Sequence, residues 1–245
     1  MPKNPQDVSY KDGYDARPSK AGYDDHGGKD GYHTYLAGYD DNDGSHTYAA
    51  LLTPSNNSGA LGLAVVNFDE EAGTLSVHIE AKGLTPGEVH PQHIHGFPDD
   101  RPSIPPTIAF DIDKDGFVET PEGAKAIGQV LLSLTESGRV TKADAIKDFP
   151  VADAQGHLSF EQTYHFDLDR PKQAQIFHEL EDRVAGRAVE LHGLKVPPGE
   201  GQGTPYEVHG QDGYIAELPV AGGILTPVSD HALTNLLAHS GLVMA

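Results

Sequence analysis

From residue 47 onward the apolar residues come in short runs, some alternating with polar residues and some continuous, each broken by turn formers such as Gly, Pro, Asn and Asp. That is how a β-sandwich is written in sequence. The runs at 48–52, 61–69, 74–81, 93–95, 157–166, 188–191 and 214–219 predict strands, and Asp69-Glu70-Glu71-Ala72-Gly73 predicts a tight hairpin link between the second and third. Helical spacing of apolar residues is sparse, confined to 142–148, 172–184 and 230–239, so helices are expected only as excursions from a β framework.

The first 45 residues follow a different pattern. Ala21-Gly22-Tyr23-Asp24-Asp25 recurs as Ala37-Gly38-Tyr39-Asp40-Asp41, aliphatic residues are few, and seven of the ten tyrosines fall within the first 48 positions. Such a segment lacks the apolar area for a core of its own and reads as an acidic low-complexity arm, either a free tail or a strip that docks on the domain or binds metal. The expected organisation is an arm at 1–45, one β domain at 46–224, and an extension at 225–245.

The net charge of −20 repels nucleic acid and anionic membranes and favours cations. With no cysteine, disulfides, thiolate catalysis and sulfur-ligated metals are excluded, leaving His and carboxylates as metal ligands. No run is apolar enough for a membrane span, and the first residues lack a signal peptide's apolar stretch. The expected compartment is therefore the cytoplasm, or the periplasm or exterior if a signal has been removed. Oligomeric state is not legible.

Two clusters carry chemistry. In His90-Pro-Gln-His93-Ile-His95-Gly96, the histidines at 93 and 95 are spaced i, i+2; on a strand they share a face and can grip one ion, although a surface strand with two solvated imidazoles fits the same spacing. The run Asp111-Ile-Asp113-Lys-Asp115-Gly116-Phe117-Val-Glu-Thr-Pro-Glu122 has the form of a twelve-residue calcium loop. Asp111, Asp113 and Asp115 supply hard oxygens, Gly116 permits the turn, the Phe117 carbonyl faces inward and Glu122 closes the shell. Flanking helices are not evident, which points to a structural Ca²⁺ stiffening a long insertion rather than to a sensor. No serine-hydrolase order, phosphate-binding loop or His-Glu-x-x-His is present, so hydrolytic and nucleotide-dependent classes are not supported. His78 alternates with Val77 and Ile79 and reads as structural or surface. Asn56-Asn57-Ser58 is a glycosylation sequon that reads as incidental.

The stretch from Lys82-Gly83-Leu84-Thr85 into His93-Ile94-His95-Gly96, and later Gly186-Arg187-Ala188-Val189-Glu190-Leu191-His192, resembles the two copper strands of the copper/zinc superoxide dismutases. The opening Ala49-Ala50-Leu51-Leu52-Thr53-Pro54 and the closing Glu217-Leu218-Pro219-Val220-Ala221-Gly222-Gly223 resemble more closely the CHRD (chordin-type) domain, a relative of that sandwich. The resemblance implies a Greek-key β-sandwich or barrel with long loops and one or two short helices. It also implies copper ligation by His93, His95 and His192, with His90 as a supporting residue that is not a ligand. Residues 96–127 contain no histidine, so the dismutase zinc site has no counterpart, and a fourth copper ligand is sought at His165, His178 or His209. Glu217 stands roughly where the dismutases keep an arginine that steers superoxide. The expectations are thus a copper protein with a structural calcium loop, redox-active toward superoxide, or a non-enzymatic module that stores or scavenges copper or serves as a calcium-stiffened extracellular interaction domain.

Overall fold

A computed structural model describes residues 45–99, 101–181, 183–201 and 213–239. The arm expected at 1–45 therefore lies outside the described residues but for Ser45, as does His209. The described residues fold into nine antiparallel strands: β1 (Ser45–Pro54), β2 (Leu61–Asp69), β3 (Thr74–Lys82), β4 (Gln92–Gly96), β5 (Gln129–Ser133), β6 (Leu158–His165), β7 (Ala188–Val196), β8 (Gly213–Ile224) and β9 (Thr226–Pro227). The helices are α1 (Thr120–Ile127), α2 (Pro171–Glu181) and α3 (Asp230–His239).

In β3 the alternation is strict. Leu75, Val77, Ile79 and Ala81 are buried, while Ser76, His78 and Glu80 face outward, with His78 Nε2 3.3 Å from a Glu80 carboxylate oxygen. The β2–β3 hairpin closes where expected, Asp69 pairing with Thr74, and the Asp69 carboxylate accepts the Ala72 N–H at 2.7 Å. Such a turn stops the register from slipping and keeps the apolar set on one face.

The strand order is β5-β4-β7-β8-β1-β2-β3-β6, with β9 on β1. β1 runs beside β2 as far as Leu52, then passes to β8 through Thr53 and Pro54. The sheet therefore curls on itself. Val66, Phe68, Val77, Ile79 and Phe160 from one half pack with Ile94, Leu131, Val189, Leu191 and Val220 from the other in a shared core. α2 adds Ile176, Phe177 and Leu180, the Phe177 ring lying 5.3 Å from that of Phe68. Beyond residue 224 the chain stays attached, because Thr226 and Pro227 pair with β1 and Leu233 and Leu236 of α3 pack toward Ala49, Leu63 and Val228.

Three local expectations need correction. Residues 142–148 form only a 3₁₀ turn at Ile146–Asp148, Gln129–Ser133 supplies an unexpected strand, and a helix begins within the acidic loop. That helix, α1, begins on Thr-Pro-Glu, with Pro suited to the first turn and the Glu122 carboxylate accepting the Glu119 N–H at 3.3 Å. It ends at Gly128 with φ 93°, where a Cβ would run into the Gly96 carbonyl of β4. Among the described residues no helix is long and apolar enough to cross a membrane.

Candidate metal centre

β7 is buried on both faces. Val189 and Leu191 enter the core, so the i, i+2 partners Glu190 and His192 are driven to the opposite face, where they too are almost wholly covered. β4 lies alongside, antiparallel, with His93 opposite Glu190 and His95 opposite Ala188. A break in β7 pairing at Leu191–Leu194 re-aims His192. Gly193, at φ 102°, lies within this break, and a side chain there would strike Tyr214 and His90.

The result is a three-histidine cluster. His93, His95 and His192 each offer a ring nitrogen, all within 4.8 Å of one another. Backbone carbonyls hold two of the rings: His95 Nδ1 donates to Gly128 O at 3.2 Å, and His192 Nδ1 donates to Glu217 O at 2.9 Å. In the neutral tautomers this leaves the Nε2 lone pairs of both rings directed elsewhere, and neither Nε2 has a hydrogen-bond partner; nor does His93 Nδ1. Phe149 packs edge-on against His93, 5.3 Å between centroids.

Glu190 is the neighbour that strand alternation adds. Its carboxylate lies 3.3 Å from His192 Nε2 and 3.7 Å from His95 Nε2, and its Oε1 has no hydrogen-bond partner. Burial opposes the charged form of each group here, and the balance differs by residue. For His93 burial dominates and the other two rings add to it, so its pKa falls well below the usual histidine range. His95 is also lowered, burial outweighing the attraction of Glu190. For His192 the pull of Glu190 and the bond to Glu217 O overcome burial and raise the pKa, while Glu190 is lowered because the two imidazoles outweigh its own desolvation. These directions favour a protonated His192 beside an ionised Glu190, and a metal at the rings must displace that proton.

His90, expected as a supporting residue, is fully buried, its Nδ1 donating to the His192 carbonyl at 2.8 Å and its Nε2 3.1 Å from Thr85 O. The fourth-ligand candidates fare differently. His165 is exposed at the end of β6, the far edge of the strand order, and His178 is exposed on α2, paired with Glu181 at 2.9 Å. Neither joins the cluster, because the fold carries both to other surfaces. The residue beside the three rings is an acid.

The acidic loop folds back on itself. Asp111 carboxylate oxygens accept the N–H groups of Lys114 and Gly116 at 2.6 and 3.0 Å, Asp115 accepts that of Phe117 at 2.8 Å, and Glu122 accepts those of Ile112 and Asp113. Carboxylate oxygens gather as Asp111–Asp113–Glu122 and as Asp113–Asp115–Glu119. Glu119 lies outside the expected ligand set, although it occupies position nine of a calcium loop and that position often contributes. Its side chain has no exposed surface and neither carboxylate oxygen has a hydrogen-bond partner. Burial first, then the neighbouring Glu122 and Asp115, push its pKa up to about 9. Phe117 points away into a small apolar cluster with Val196, Ile215 and Leu218. Asn56 clamps the far end of the loop, accepting the Val118 N–H at 2.7 Å and donating to the carbonyls of Val118 and Pro219, so the sequon asparagine is a structural clamp.

Compared with known families, the chain matches the CHRD domain over residues 46–200. No curated protein matches it.

Proposed function

The chain belongs to the CHRD domain family, and from that premise we propose that it is a copper-binding protein with a structural calcium loop, built on a superoxide dismutase-like Greek-key sandwich. The observation that carries the reading is the convergence of three imidazoles with ring nitrogens lacking partners in a buried, carbonyl-oriented pocket. Buried polar atoms are ordinarily satisfied, so several orphans facing one point mark a place where a ligand completes the set.

Imidazole suits Cu²⁺ well, and a buried carboxylate offsets the charge of a divalent cation in a medium that penalises it. His93, His95 and His192 would hold the ion and Glu190 would neutralise or complete its shell. Bound copper would supply one-electron redox chemistry, with superoxide as the candidate small substrate. The residues present suit holding an ion better than recruiting an anion: Glu190 adjoins the rings, Glu217 replaces a guiding arginine, and the chain is strongly acidic. This favours as second reading a non-enzymatic copper-storing or scavenging module, or a calcium-stiffened interaction domain.

Metal analysis of protein purified without added metal, then a superoxide dismutation assay of the copper-loaded form, separates them. Turnover that vanishes in His93→Ala supports the redox reading; stoichiometric copper without turnover leaves the storage reading; no copper uptake defeats both copper readings and leaves the calcium-stiffened interaction domain.

A further inference from the structure

α1 begins inside the acidic loop and is tied to two of the three clustered histidines, to His95 through the carbonyl of its C-cap residue Gly128 and to His192 through the Glu217 carbonyl of β8. Glu122 is at once the twelfth residue of that loop and part of the first turn of α1. At the start of the helix, Thr120 Oγ1 donates to Glu217 O at 2.9 Å, and that same carbonyl accepts the proton of His192 Nδ1. At its end, the Gly128 carbonyl accepts from His95 Nδ1. Two further ties fix the loop to the strands that carry the site: Phe117 packs on Val196 and Ile215 of β7 and β8, and Asn56 bridges Val118 to Pro219, the register partner of His192.

The loop itself points to a cation by an observation separate from its composition. Glu119 is fully buried, its two oxygens have no donor, and it faces Asp113 and Asp115. Carboxylates this closely packed cannot all stay ionised without a cation among them, and the ion would displace the proton that Glu119 otherwise holds.

We propose that a Ca²⁺ ion in loop 111–122 sets the metal affinity of His93, His95 and His192 by fixing α1, and with it the two carbonyls that orient His95 and His192. The proposal rests on the copper reading of the cluster. Ligand histidines are held by such outer partners, and losing them commonly weakens metal binding by about ten- to a hundredfold. An ion that orders those partners in advance removes the ordering cost from the second binding event. Binding free energies couple reciprocally, so copper must tighten calcium by the factor by which calcium tightens copper.

The test is calorimetric titration of the full chain with Cu²⁺, once stripped of calcium and once saturated with it, with Thr120→Val beside the wild type. Calcium is expected to tighten Cu²⁺ by at least about fivefold, and Thr120→Val, which removes an exposed hydroxyl, to shrink that factor while calcium still binds. Equal Cu²⁺ affinity in both states, with copper lost in His93→Ala and calcium lost in Asp113→Asn, overturns the coupling and leaves the copper reading standing. Copper binding indifferent to His93→Ala overturns the reading and the coupling with it. Full coupling in Thr120→Val overturns the route through Glu217.

Discussion

The two candidate ion sites are built by opposite strategies. The histidine cluster takes its side chains from β4 and β7, about a hundred residues apart in sequence, and fixes them with strand pairing and carbonyls from elsewhere in the fold. The loop takes all its carboxylates from twelve consecutive residues and fixes them with its own backbone N–H groups. Strand pairing places the histidines before any ion arrives and leaves only their orienting carbonyls to be ordered, whereas a loop of carboxylates is held against its own repulsion. The comparison therefore predicts that copper is mainly selected by the first site, and that calcium mainly stabilises the second.

The largest effect should come from the strands. His192→Ala is expected to weaken Cu²⁺ by more than about a hundredfold in competition titration, whereas His165→Ala and His178→Ala leave it unchanged. Next comes the loop. Calcium at a hundred times its Kd should add about 2.7 kcal/mol to unfolding stability, read as a rise in Tm, and Asp113→Asn or Glu122→Gln should abolish that rise. A rise that survives both variants would place the ion elsewhere.

Much of the fold was legible because β2, β3 and their hairpin obey local rules: period-two alternation and a turn of Asp and Gly. That the carboxylates of 111–122 gather was legible for the same reason, their spacing being local. Glu190 was not. It sits two residues before His192 and so shares its face, but only the pairing of His93 with Glu190 brings that face to the His-x-His strand, and register between distant strands is not written locally. His165 and His178 were attractive as residue types, and topology placed them far from the site. α1 went unread because eight residues with Pro and Gly carry little periodicity, although its C-cap carbonyl holds the His95 ring and its Thr120 hydroxyl holds the carbonyl that orients His192.

Glu190 offers a finer test of the contrast. Glu190→Gln keeps the shape and removes the charge, and about a tenfold loss of Cu²⁺ affinity is expected, with the three histidines still binding. No loss would mean that the carboxylate only partners His192 in the ion-free protein.

The effect least specific to either ion concerns pH. The folded pKa of Glu119, about 9, lies above the ordinary 4.5, so the folded loop binds more protons than the unfolded chain between those values. Stability from this group is present below about pH 4.5 and is lost as pH rises toward about 9. In calcium-free buffer Tm should therefore drift down from pH 6 to pH 9, and Glu119→Gln should flatten that drift. Saturating calcium, which favours the ionised carboxylate, should also flatten it. A drift unchanged in Glu119→Gln would assign it to another group.

The most direct test is electron paramagnetic resonance of the full chain with one equivalent of Cu²⁺. The account predicts a single copper species with hyperfine coupling to imidazole nitrogens, altered by His93→Ala, His95→Ala or His192→Ala. A spectrum that survives all three substitutions unchanged would contradict it.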